Sequence, residues 1–544
     1  MFTVARASHW PLRRATRLGA LFGGGCLAVS AGSLALPGVP SVDPWAWVVF
    51  GREIVGPGPA LSTVSPTGWK PLPVLFTAPL GLFDGAAPSL WLVVVRCAGL
   101  VAMVLAFRLG ARAGGVVVGA LSALALLACS TWLRFLWAGN VEPLVVALVL
   151  GATELHLRGR HDAAFALGAL AGLGRPEVWL MVVGYAAYLW RVERRRWPLA
   201  VGMPTMLALW IVPDWLGSGD PLHALHGAQG SGEPIGIQRS AAPGYELLRR
   251  ASGLAPLPVW LGAVAAVVLG RRTRDRTVRA LAFVVAAWAV PTVLATALGY
   301  PAIPRYLVEP VAACGVLAGI GFVALVRISG SRRGRAAVAA ALIAVSAPYV
   351  LATGAALAYQ ASEAQFWTTQ QSGLWAAVNR AQRQGEPIAR LHPVVEPGAM
   401  ANGLAWKLGM RVHDVRGAFT PAARIAFLEG DDRTVLAQLR RRHATTTPVA
   451  AAGRWHVLLL RWRPRSAPPT GARSRVSSGA TDVVHALAGG TLTRRERLRA
   501  ADAAPRPDGL PISMHPKPAT IVPRNSSAFL LSAFGQASLS SGVG

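Results

Sequence analysis

The chain has 544 residues, 53% of them hydrophobic and only 15% charged, with a mean hydropathy of +0.43. Soluble domains carry about 25% charged residues, so this composition excludes an ordinary soluble globule and points to a chain whose solvent is largely lipid. The net charge of +29 raises nucleic acid as a partner. That partner is excluded because the arginines lie in short runs between apolar segments and in the polar C-terminal tail, not on one stripe, and the lysines (Lys70, Lys407, Lys517) are few.

A membrane-crossing helix takes about 20 apolar residues, and cytoplasmic flanks carry the Arg and Lys excess. The first span then covers 17–38, after Arg13, Arg14 and Arg17, and leaves 1–16 as a cytoplasmic N-terminus. It reads as an uncleaved helix rather than a signal peptide, because many spans follow. An outside loop, 39–70, leads to a short apolar helix at 71–83 and a full span at 88–107 that ends at Arg108 and Arg112. Spans at 113–130 and 141–157 follow, the second returning to Arg158 and Arg160. The stretch 162–190 is too long for one ordinary span, is broken at Gly174-Arg175-Pro176-Glu177 and is basic at both ends. It reads as a helical hairpin whose apex lies in or across the membrane. Further spans fall at 197–213, 257–270, 278–298, 306–327 and 336–358, separated by the basic loops Arg271–Arg279 and Arg332–Arg335. The expected total is about eleven, an odd number that puts the C-terminus outside. Much of the acid lies on the outside: Asp43, Glu53, Asp214, Asp220, Glu233 and Glu246.

The multi-span region is thus 17–358. Hydropathy drops after it, and 359–464 reads as a small extracytoplasmic α/β domain. It is expected to hold an amphipathic helix at 362–384, strand-like runs at Pro387–Leu391 and Trp455–Trp462, and helical patterns at 398–409 and 421–441. The Ser-, Pro-, Arg-, Gly- and Ala-rich segment 465–544 reads as a disordered tail. Cys26, Cys97, Cys129 and Cys314 all fall in apolar segments and are expected as buried thiols, without disulfides or a metal cluster.

Ionisable groups at membrane depth are costly and mark functional sites by default. Asp43, where the chain leaves the first span beside Trp45 and Trp47, is placed to accept a proton from a bound hydroxyl; a helix cap is its structural alternative. Arg175 and Glu177 at the hairpin apex suit phosphate binding or a mutual ion pair. Arg305, with Tyr306, opens a late span and suits an anionic headgroup or an interfacial anchor. Arg134 and Glu142 flank the outside start of the fourth span and are candidates for the same cavity. Asp220, His223 and His226 are weak metal candidates, more simply read as polar loop residues.

Four elements in order resemble the glycosyltransferase C superfamily, polytopic enzymes that take a sugar from a polyprenyl-phosphate donor on the outer side of the membrane. They are Asp43 in the first outside loop followed by Gly51-Arg52; Trp69-Lys70-Pro71-Leu72-Pro73 opening a short helix; the hairpin broken at Arg175-Pro176; and Arg305-Tyr306-Leu307 opening a late span. The resemblance spans about 15–358 and is nearest to the actinobacterial membrane mannosyltransferase-like branch. It implies an all-α polytopic fold and inverting hexosyl transfer, with mannose a candidate sugar, to a lipid or cell-wall acceptor in the cell envelope. Asp43 is then the general base, and Arg175, Arg305 and Lys70 hold the donor phosphate, with Arg52, Glu53, Glu177 and Tyr306 as further substrate contacts. The first loop lacks the family's adjacent pair of acids, since Glu53 stands ten residues from Asp43, so no cofactor is assigned and a divalent metal is left open. A transporter or lipid flippase and a non-catalytic membrane scaffold are the alternative readings. Of these, the flippase lacks matched halves, and the scaffold leaves the clustered outside charges without a purpose.

Overall fold

The computed structural model describes residues 12–56, 61–65, 67–231, 237–300, 302–430 and 433–462. The start of the N-terminal segment, Glu233 and the expected tail at 465–544 lie outside the described residues. The helices run in order α1 (Leu12–Gly32), α2 (Val42–Val55), α3 (Pro71–Leu80), α4 (Ala87–Gly114), α5 (Val116–Leu127), α6 (Ser130–Trp137), α7 (Glu142–Leu157), α8 (His161–Gly172), α9 (Trp179–Arg191), α10 (Met203–Ser218), α11 (His223–Ser231), α12 (Pro243–Ala251), α13 (Leu257–Thr273), α14 (Arg276–Ala297), α15 (Val308–Ile328), α16 (Arg332–Arg383), α17 (Ala401–Leu408) and α18 (Arg433–Arg441).

Five helical stretches are each long and apolar enough to cross a bilayer: Pro71–Gly114, Pro198–Ser218, Arg276–Ala297, Pro304–Ile328 and Arg332–Arg383. Two bent pairs, Val116–Leu127 with Thr131–Trp137 and Pro243–Leu254 with Leu257–Arg272, raise the number to as many as seven among the described residues. Large apolar side chains stand exposed along these helices (Ile343 is 71% and Leu351 76% exposed), as lipid-facing surfaces require. The protein is a multi-pass, mostly helical membrane protein carrying a small sheet domain. The remaining expected spans fall on α1 and on α7, α8 and α9, which are 16, 12 and 13 residues long. At 1.5 Å per residue, helices of that length reach about 18–24 Å, short of a full hydrocarbon core. The short helix at 71–83 and the span after it form one stretch, bent where Asp84 takes φ 43°.

A glycine brings α2 close against α3. A Cβ on Gly51 of α2 would lie 2.3 Å from the Thr77 carbonyl oxygen of α3, so only glycine allows that approach.

The C-terminal part holds β1 (Val394–Val395), β2 (Val415–Arg416), β3 (Ile425–Glu429), β4 (Ala444–Ala452) and β5 (Trp455–Trp462), in sheet order β2-β1-β3-β5-β4. β1 is parallel to β2 and β3, while β5 lies antiparallel between β3 and β4, with an irregularity at Pro448/Ala450. Leu374, Ala377, Val378 and Ala381 of α16 are buried, and Gln370 accepts a hydrogen bond on its carbonyl from Trp455 Nε1 at 2.9 Å.

Three expectations are corrected here. The span at 336–358 and the helix at 362–384 are one 52-residue helix, α16, because no proline interrupts the chain between Pro348 and Pro387. The strand-like run Pro387–Leu391 contains a single 3-10 turn, Ile388–Arg390, and the first strand begins at Val394. The helical pattern at 421–441 divides into β3 and α18, since Ile425-Ala426-Phe427-Leu428 is buried as a central strand and a short apolar run suits either structure.

Candidate active site

The chain is fastened just before Asp43. The Ser41 amide donates to Ala138 O at 2.9 Å, and its hydroxyl donates to Asn140 Oδ1 at 3.3 Å. α2 begins at Val42, so Asp43 lies inside the first helical turn and does not cap it. Its carboxylate turns to other elements. Oδ2 accepts from Arg305 Nη2 at 2.9 Å, and Oδ1 accepts from the Thr67 hydroxyl at 3.4 Å. Arg305 reaches this position because a 3-10 turn, Pro304–Leu307, precedes α15.

Behind this pair the charges alternate. Arg305 Nε lies 3.1 Å from Glu142 Oε1, a charge contact whose angle makes no hydrogen bond. Glu142 stands in the first turn of α7, where the helix dipole favours an anion. Glu142 Oε1 also accepts from Arg175 Nη2, and Arg175 Nε donates to Glu309 Oε1 at 3.0 Å. Arg175 is extended (φ −144°), as a residue before proline prefers. Its guanidinium packs over the Tyr306 ring with 5.3 Å to the centroid. The Arg175 bridges are 1% exposed or less, whereas Asp43 and Arg305 are 27% and 25% exposed, so this pair forms the open end. Among the described residues, Glu142 Oε2, Glu309 Oε2 and Glu177 Oε2 are buried without a hydrogen-bond partner.

Lys70 completes the open end. Its ammonium lies 5.3 Å from the Trp47 ring centroid and feels Arg175, Arg305, Asp43 and Glu142. Burial first, then the two guanidinium groups, bring it down to about 8 against the pull of the carboxylates. Burial tends to raise the Asp43 carboxyl, but Arg305 and Lys70 outweigh it and hold it below the usual carboxylate range.

Asp43, Lys70, Arg175, Arg305 and Tyr306, spread over more than 260 positions of sequence, meet in one cluster. Arg175 pairs with Glu142 and Glu309 rather than with Glu177, so the mutual ion pair weighed for the hairpin apex is not formed. Arg134 turns away to Glu363 of α16 at 3.2 Å. Arg52 and Glu53 are engaged elsewhere. Arg52 donates to the carbonyls of Trp406, Ala405 and Met410, and Glu53 accepts from the amides of Ser62 and Val412. They clamp α2 to the sheet domain, about 14 Å along the helix from Asp43. The same domain touches the site, for Asn402 Nδ2 donates to Val42 O at 2.8 Å and to Thr67 Oγ1 at 3.3 Å. Asp220 binds His226 Nδ1 at 2.6 Å on an exposed surface, and no group of three His, Cys, Asp or Glu side chains among the described residues is arranged for a metal. Glu309 escaped notice as a sequence candidate, although a carboxyl four residues from an Arg at a span's mouth is itself a signal.

No protein-family model matches the sequence, and no curated protein sequence does. Solved structures do match. ArnT from Cupriavidus metallidurans bound to undecaprenyl phosphate aligns with a TM-score of 0.51 and 16% identity, over 84% of this chain and 100% of that chain. The apo state of the same protein aligns with a TM-score of 0.51 and 17% identity, over 82% and 98%. The chain shares the fold of these two structures, a polytopic helical fold of the kind the sequence resemblance implied.

Proposed function

We propose that this protein is an integral membrane glycosyltransferase that moves a sugar from a polyprenyl-phosphate donor to an extracytoplasmic acceptor with inversion. The reading rests on one observation: a half-open Asp–Arg pair, Asp43 with Arg305, at the accessible end of a buried chain of alternating charges. ArnT, which shares the fold, has undecaprenyl phosphate bound, and this supports the donor class. The arginine runs Arg158–Arg160, Arg191–Arg196, Arg271–Arg279 and Arg332–Arg335 favour a cytoplasmic N-terminus with Asp43 on the outer side.

The donor phosphate binds at Arg305 and Lys70, the two cations at the open end. Arg175 is wholly engaged by Glu142 and Glu309 and serves to position Arg305 through Glu142. In the resting site Arg305 holds the Asp43 carboxylate weakly basic. Phosphate entry competes for that guanidinium, releases Asp43 and raises its basicity when the acceptor arrives. Asp43 then takes the proton of the acceptor hydroxyl. The acceptor oxygen attacks the anomeric carbon, the carbon–oxygen bond to phosphate breaks, and polyprenyl phosphate leaves with the electron pair, its charge met by Arg305 and Lys70.

The test is sugar transfer in reconstituted vesicles with a panel of labelled polyprenyl-phosphate sugars, mannose first, for the intact protein and Asp43→Asn. Transfer that vanishes in the variant at equal expression supports the base. Equal transfer in both removes Asp43 from the mechanism. No transfer from any donor shifts the weight to a flippase or a scaffold.

A further inference from the structure

The membrane body has a second charged recess, at the opposite end of α7. Glu142 opens that helix at the candidate active site, and His156 lies fourteen residues on, about 21 Å along the axis at 1.5 Å per residue. There α7, α8, α9 and α14 part to leave a cavity of about 650 Å³. Its depth is apolar, with Val149, Phe165, Met181 and Phe283 on its walls. Its mouth carries four rings and two cations. His156 and His161 stack at 5.2 Å, Tyr185 and Tyr188 stack at 5.8 Å, and the Tyr185 hydroxyl bonds His156 Nδ1 at 3.0 Å. Arg276 and Arg279, both exposed on the first turn of α14, complete the rim. His161 lies 3.1 Å from Glu193, and Asp275 caps α14 beside Arg276.

A cleft that is greasy within and basic at its lip matches a molecule with a hydrocarbon chain and a phosphate head. Basic recesses between membrane helices take anionic lipid headgroups in this way. Two features favour lipid over a free anion. One wall is α14, which is long and apolar enough to cross a bilayer, and the basic rim lies on its first turn, where such a helix leaves the hydrocarbon. Two glycines leave room for a chain. A Cβ at Gly184 meets nothing within 4 Å, and one at Gly168 meets only Val182 Cγ2 at 3.8 Å.

We propose that this cleft is a binding site for an anionic phospholipid of the leaflet opposite the Asp43 site, with Arg276 and Arg279 on its phosphate and the α7–α9 wall around its acyl chain. The site lies on the far face from the charged cluster and does not depend on the transferase reading.

The experiment uses the full-length protein, delipidated in detergent and titrated with phosphatidylglycerol or phosphatidylcholine, with binding read by native mass spectrometry. Phosphatidylglycerol is expected to bind at least tenfold more tightly. Arg276→Gln with Arg279→Gln is expected to abolish that preference. Gly184→Leu keeps both arginines, suits a helix better than glycine and fills the cleft, so it is expected to lower phosphatidylglycerol binding at least fivefold without lowering the melting temperature. Equal binding of the two lipids, or unchanged binding in either variant, would overturn the proposal. So would a polyprenyl phosphate that outcompetes phosphatidylglycerol here, since the cleft would then belong to the donor.

Discussion

Asp43 with Arg305, and Arg175 with Glu142 and Glu309, are built from the same two groups, guanidinium and carboxylate, and linked through Glu142, yet the first pair is about a quarter exposed and the second group is sealed. The open pair can exchange partners with a ligand at modest cost, because water and incoming phosphate replace what it loses. The sealed group cannot, because removing one member leaves a buried charge uncompensated. Accessibility, more than residue type, separates chemistry from support in this site.

The comparison breaks most sharply at Asp43. Asp43→Asn is expected to reduce transfer by a factor on the order of 10²–10⁴, the usual contribution of a general base, with yield and melting temperature unchanged. Initial rates at equal protein settle it. At the sealed end, Arg175→Met is expected to destabilise the fold by about 3–5 kcal/mol, because buried Glu309 loses its cation and Glu142 keeps only Arg305, read as a lower midpoint in detergent thermal unfolding. Adding Glu142→Gln and Glu309→Gln restores much of that loss. A stable Arg175→Met protein that fails in transfer would place Arg175 among the reacting groups and dissolve the distinction.

Smaller effects sharpen it. Lys70 is cationic below about 8 and neutral above, so phosphate binding weakens as pH rises through that value, and the KM for donor is expected to climb severalfold between pH 7 and 9. Lys70→Arg flattens the climb. The least effect on transfer is expected at Glu396, a buried carboxyl whose hydrogen bonds come from the Gly398 and Met400 amides. Burial pushes it up to about 8, so the folded domain favours the neutral acid. Stability is full below the ordinary value near 4.3 and drains away as pH rises towards 8. Glu396→Gln is expected to remove that slope in melting temperature between pH 5 and 9 and to leave transfer unchanged.

The membrane class and the fold were legible because each rests on local signals: apolar length, flanking arginines, and four short motifs in order. What the charges do to one another was not, because ion pairing depends on which helices lie side by side. Asp43 and Arg305 are 262 positions apart, and nothing in either neighbourhood names the other. Arg52 and Glu53 looked like site residues because they follow Asp43 in the same outside loop, but that loop holds a helix, and nine or ten residues along it carry them to the sheet domain. The strand at Ile425–Glu429 was hidden by an apolar run too short to declare its period. The continuity of α16 was hidden by a fall in hydropathy, which marks where lipid ends and not where a helix does.

That continuity fixes more than connectivity. Fifty-two residues in one helix make a rod of about 78 Å, and the sheet domain sits on its far end while Asn402 touches the loop of Asp43. Each residue gained or lost between bilayer and sheet turns the domain by about 100° and shifts its height by about 1.5 Å. The roof over the reacting groups is therefore indexed to the membrane like a key to its wards, and this stretch of α16 is the part of the chain least free to change length.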